Sequence, residues 1–109
     1  MEKSKIAQGQ MFICHSFPLP HSNTENETQV WVKVGDEDGR SLFVDNDAMV
    51  KFSINPNYRP SIMEKWSISD EYYYRNVEMG EFVPISDLNE ADRITEEKGW
   101  PAYVIDLGF

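Results

Sequence analysis

The sequence predicts a mainly β domain bordering on α+β: a small, strongly curved antiparallel sheet or barrel of six or seven strands, with one helix in the C-terminal half covering an open end. Three observations carry that expectation. Short runs of apolar residues with period-two alternation recur along the 109 residues, separated by clusters of Gly, Pro, Asn and Asp. Aromatic residues make up 13% of the chain, which supplies the bulky groups a compact core needs. Only one segment combines a helical period with a cap at each end. The other architecture compatible with this pattern is an α+β sheet with the helix on one face.

Residues 1–9 are polar and read as a mobile lead-in to a single domain spanning residues 1–109. The first strand is expected over residues 10–17, with Met11, Ile13 and His15 facing one way and Phe12, Cys14 and Ser16 the other, both faces being apolar enough for burial. Pro18 and Pro20 end it, and residues 21–28 form a polar surface loop. Residues 29–34 and 40–44 read as a hairpin, since Val30, Val32 and Val34 alternate with Trp31 and Lys33, and residues 35–39 (Gly-Asp-Glu-Asp-Gly) supply turn chemistry. A second turn at Asp45-Asn46-Asp47 leads to a third strand over residues 48–54, where Met49, Lys51 and Ser53 alternate with Val50, Phe52 and Ile54.

Residues 55–60 form a loop bounded by Pro56 and Pro60; over residues 62–68 Met63 and Trp66 fit a helical turn whereas Trp66 and Ile68 fit strand alternation, and the reading adopted is a strand near residues 65–68. Residues 72–77 and 81–85 read as another hairpin around Glu78-Met79-Gly80. The helix is capped by Ser86 or Asp87, with Glu90 three residues after Asp87 as a capping box requires, runs through Leu88, Ala91 and Ile94, and stops at Gly99. Residues 100–109 close the chain as a strand.

Charge bounds the class of partner. Nineteen acidic against ten basic residues give a net charge of −9, and between Glu64 and Glu97 ten carboxylates face only Lys65, Arg75 and Arg93. That sign repels a phosphate backbone, so direct nucleic-acid binding is not expected. No apolar run approaches the roughly 18 residues of a membrane helix, and the first ten residues are too polar for the core of a secretory signal. One cysteine allows no internal disulfide, which fits a reducing compartment; the expected location is the cytoplasm and no membrane partner is expected.

No residue pattern reaches a catalytic signature, and neither a metal nor a cofactor is expected. Cys14, His15 and His21 are too few for a four-ligand zinc site. Cys14 and His15 are adjacent on a strand and point to opposite faces, so they cannot act as nucleophile and base. The Asp36-Glu37-Asp38 run lacks the remaining ligands of a calcium loop. Asp45, Asp47 and Lys51, or Glu96 and Lys98, supply nuclease-like residue types without the geometry or a basic grip on phosphate.

What remains is the acidity. Carboxylates at Asp70, Glu71, Glu78, Glu81, Asp87, Glu90, Asp92, Glu96 and Glu97, spread over a strand pair and a helix, would present negative charge along one exposed side. With Tyr73 and Trp100 as aromatic anchors, the surface would mimic nucleic acid toward a basic protein. The expected function is therefore a non-enzymatic protein-binding module that inhibits a basic, nucleic-acid-handling partner by occluding it. Small acidic proteins of this kind occur among phage and mobile-element products, an analogy of class that rests on no motif. Two other readings are a small ligand-binding barrel or enzyme using its interior, and a structural subunit of a larger assembly.

Overall fold

A computed structural model describes residues 5–16 and 26–105. These form five strands and three α-helices in the order β1 (Met11–His15), β2 (Thr28–Glu37), β3 (Arg40–Asp45), α1 (Asn46–Ile54), β4 (Lys65–Ile68), α2 (Asp70–Glu78), β5 (Val83–Ile85) and α3 (Leu88–Lys98), with one 3-10 turn at Ile62–Glu64 ahead of β4. The strands make one antiparallel sheet in the order β4-β3-β2-β1-β5. It is a mixed α+β fold built mostly on sheet. The antiparallel sheet stands as expected, but it is open, ending on β4 and β5, so its closure into a barrel is corrected, and among the described residues the six or seven strands become five and the single helix three.

Alternation along β1 sets the layers. Phe12 and Cys14 point into one core with Trp31, Phe43, Trp66, Ile68, Tyr73 and Phe82, closed by α2. Ile13 points the other way, into a second core with Val30, Ile85, Ala91 and Ile94, closed by α3. The sheet therefore has an aromatic face under α2 and an aliphatic face under α3. Both faces of β1 are buried, as its sequence predicts.

The β2–β3 hairpin forms with a tighter turn than the five-residue one expected. Only Asp38 and Gly39 lie in it, with φ of 52° and 78°. Two successive positive φ values match the right-handed twist of the flanking strands, and Asp-Gly tolerates them best. A bulge between Lys33 and Gly35 restores the register.

Residues 1–4 of the expected lead-in lie outside the described residues, whereas residues 5–9 run against the sheet. Ile6 is buried in the aromatic core, the Gly9 N–H donates to the Lys33 carbonyl at 2.8 Å, and the Lys33 ammonium donates to the Ile6 carbonyl at 2.6 Å. Lys33 is itself buried and is neutralised by Asp36 at 3.3 Å, with Lys5 on the outside at 2.9 Å. The hydrogen bond from Lys5, with the Lys33 contact behind it, holds the Asp36 carboxyl below the ordinary range.

Residues 48–54 are not a strand but most of α1. The Asp45 side chain accepts from the Asp47 N–H at 2.8 Å and caps the helix, so the Asp45-Asn46-Asp47 triplet is a helix start rather than a reverse turn. Residues 72–77 are likewise not a hairpin strand but most of α2, whose cap is Ser69, accepting from the Tyr72 N–H at 3.1 Å. The segment expected to pair with it does form β5, but β5 pairs with β1, Ile13 opposite Val83 and Met11 opposite Ile85. Residues 101–105 form no strand, and Pro101 instead accepts at its carbonyl from the Thr28 hydroxyl at 2.6 Å. Residues 106–109, expected in that strand, and 17–25, which hold the end of the first expected strand and most of the expected loop, lie outside the described residues.

The helix after Asp87 stands as predicted. Asp87 accepts from the Glu90 N–H at 3.0 Å, and Gly99 ends α3 at φ 72° with no atom within 4 Å of where a Cβ would stand. Gly99→Ala therefore has room, and its cost is the left-handed backbone alone. The expected loss is about 1 kcal/mol, read as a fall of roughly 5 °C in Tm.

Candidate functional site

The nine carboxylates do not share one side. Those of α2 and its flanks (Asp70, Glu71, Glu78, Glu81) lie on the aromatic-face layer, and those of α3 and its cap (Asp87, Glu90, Asp92, Glu96, Glu97) on the opposite, aliphatic-face layer. The expected continuous acidic surface is thus divided by the sheet itself, because residues 72–77 form a helix on one face instead of a strand beside α3.

Several of these acids hold the fold. Asp70 accepts from the Ser41 hydroxyl at 2.5 Å, tying the start of α2 to β3. Asp87 caps α3, and Glu90 accepts from the Ser86 N–H. Others are paired: Glu71 with Arg75 at 2.9 Å, and Arg93 with both Glu90 at 3.7 Å and Glu97 at 3.2 Å. Such exposed i,i+3 and i,i+4 pairs contribute a few tenths of a kcal/mol each.

Asp92 and Glu96 differ. They stand one helical turn apart on the exposed side of α3, and among the described residues no cation lies within ion-pair distance of either. Like charges at i,i+4 cost helix stability, so this pair does not serve the fold. The helix beneath is fixed by Ala91 and Ile94, both buried, with Leu88 packed beside them.

The two aromatic anchors stand otherwise than expected. Tyr73, expected as an exposed contact, is only 2% exposed. It stacks on Phe43 with centroids 5.9 Å apart and meets Phe12 edge-on at 5.6 Å. One turn into a helix capped by Ser69, it points at the sheet. Trp100 is half-buried at the end of α3, stacked against His15 at 5.7 Å and lying under the Lys98 ammonium at 5.4 Å.

His15 is held by the Glu27 carbonyl and the Ser16 hydroxyl, each at 3.2 Å. Cys14 lies on the aromatic face, away from that ring, and burial pushes its thiol up to about 12, which keeps it protonated and unreactive. Among the described residues no three His, Cys, Asp or Glu side chains converge as metal ligands would. His21 lies outside them.

Asp45 and Asp47 do approach one another, at the end of the sheet where β2, α1 and residues 101–104 meet around a cleft of about 370 Å³. Burial pushes the Asp45 carboxyl up to about 6, and the Tyr103 hydroxyl donates to Asp47. Burial, and after it that hydrogen bond, hold the Tyr103 proton in place. Lys51 lies over the Tyr58 ring at 5.7 Å, and its charge offsets part of the rise at Asp45. Glu96 points outward and Lys98 folds over Trp100, so that pair stays apart.

Comparison of the chain with protein-family models, with curated proteins and with solved structures finds no match in any of the three. Among the described residues no helix is long and apolar enough to cross a membrane.

Proposed function

We propose that the protein is a non-enzymatic binding module that occludes a basic, nucleic-acid-handling partner, and that the outer face of α3 is the surface it uses. The observation that supports this reading is the Asp92–Glu96 pair, two uncompensated carboxylates one turn apart on a helix held rigid by its buried side. Their spacing, about 6 Å on a helix surface, is of the order of the spacing between successive phosphates on a nucleic-acid strand. Glu97, paired with Arg93, and Asp87, the helix cap, flank the pair without adding free charge, and the half-buried Trp100 supplies apolar contact at the C-terminal end. A partner with a basic groove would be steered to this face at low ionic strength. The α2 acids, turned to the other side, lie outside this surface.

The test is a capture experiment with the immobilised chain and its Asp92→Lys, Glu96→Lys double variant. Proteins that the wild-type chain retains from a lysate at low salt should be lost from the variant, released by high salt, and displaced by added duplex DNA. Equal retention by both forms, or retention indifferent to DNA, would overturn the proposal. Both positions are exposed, so the variant should keep its Tm.

A further inference from the structure

The sheet has two edge strands, and they are unlike. β5 has three residues with Pro84 in the middle, which offers no ladder donor and blunts that edge. β4 has no proline, pairs with β3, and has no described strand on its other side. A groove of about 530 Å³ lies there, touched by all four β4 residues, by Leu42, Ile62 and Tyr72, and by the charged Glu37 and Arg40 at the β2–β3 turn. Successive strand residues point to opposite faces. Leu42 is next to Phe43 and so points to the aliphatic face, whereas Tyr72 packs on the aromatic one. A cavity that touches both, and every residue of β4, runs along the strand, whose backbone carries a side-chain contact there, the exposed Arg40 guanidinium donating to the Ser67 carbonyl at 3.3 Å.

We propose that this groove receives a second copy of the chain, β4 against β4 in antiparallel sense, joining two sheets across a two-fold axis. Such an interface needs a patch complementary to itself. At the start of β4, Lys65 is exposed, and among the described residues no carboxylate lies within ion-pair distance of it. Just past the end of β4 stand Asp70 and Glu71. Antiparallel pairing brings Lys65 of each copy toward Asp70 and Glu71 of the other, twice over. The same operation lays Ile62 and Met63, 64% and 57% exposed, along the Ile68–Tyr72 end of the other copy's groove. The backbone hydrogen bonds of the edge and these apolar side chains hold the dimer, while the −9 charge of each copy opposes it at long range.

This surface is separate from α3, and its response to salt has the opposite sign. Screening weakens attraction to a basic partner but relieves repulsion between two acidic copies. Sedimentation equilibrium of the full chain from micromolar to millimolar concentration should show the mass rising from 12.7 kDa toward twice that, more readily at high salt. Lys65→Glu and Ile62→Asp, both at exposed positions, should each weaken self-association by about tenfold or more. Amide exchange over residues 65–68 of the wild-type chain should slow as concentration rises. A single-chain mass throughout, association unchanged in both variants, or exchange at 65–68 independent of concentration would each overturn the proposal.

Discussion

Phe12→Ala is expected to destabilise the domain by about 3–5 kcal/mol, a large share of the roughly 5–15 kcal/mol that holds a domain of this size together. Phe12 is fully buried on the central part of the sheet and touches the other aromatics from every side. Phe82 stacks on it at 4.3 Å, Phe43 and Tyr73 meet it edge-on at 5.0 and 5.6 Å, and Trp66 lies at 6.2 Å. Those rings belong to four different elements or connections, so none can move into the space without leaving another partner. Urea denaturation followed by the fluorescence of Trp31 and Trp66, both in this cluster, measures the loss. A change under about 1.5 kcal/mol would mean that the rings close over the gap, and that the aliphatic face carries more of the stability than its smaller side chains imply.

Asp45→Asn is expected to act in the other direction. Burial holds the Asp45 carboxyl at about 6 against an ordinary 3.8. Between those pH values the folded protein keeps a proton that the unfolded chain has released. Stability therefore falls as pH rises through that window, and the full penalty remains above it. Asparagine carries no charge to desolvate and caps a helix as well as aspartate does. The variant should be more stable than wild type by about 2 kcal/mol at pH 7, with the difference shrinking toward zero near pH 4. Urea midpoints of the two forms across that range give the result directly. A pH-independent difference would show that the Asp45 carboxylate is solvated in the folded state.

The parts of the fold that the sequence made legible are those where pattern and local chemistry agree. The alternation of Phe12 and Cys14 against Met11 and Ile13 and the α3 segment before Gly99 carry their own boundaries, and the hairpin over residues 29–44 was legible although its turn is Asp38-Gly39 rather than all of residues 35–39. The two misread helices show the competing effect. Residues 48–54 alternate well enough for a strand, and Tyr72-Tyr73-Tyr74 favours one by intrinsic preference. In both places the deciding signal was the cap. Asp45 and Ser69 each accept from the N–H of a first-turn residue, and Asp70 and Glu71 sit where a helix dipole favours carboxylates.

The acids of the candidate surface were legible as residues but not as a surface. Which of them share a side depends on α2 and α3 lying on opposite faces of the sheet, and alternation within single strands does not carry that information. Tyr73 follows from the same misreading, since on a strand it would have pointed outward. The groove along β4 was out of reach for a related reason: which strands end a sheet is a property of their order in space.

That order also has a consequence for synthesis. β1 and β2 pair early in the chain, but the other flank of β1 is closed only by residues 83–85, some seventy positions later. While the chain is emerging from the ribosome, β2 and β3 can zip against β1 as one locally connected unit, leaving Met11, Phe12 and Ile13 with a bare backbone on one side. The nascent protein thus passes through a stage at which its most apolar strand can be captured by a neighbouring chain, and the segment around Pro84, arriving late, both fills that place and shuts that one edge to further addition.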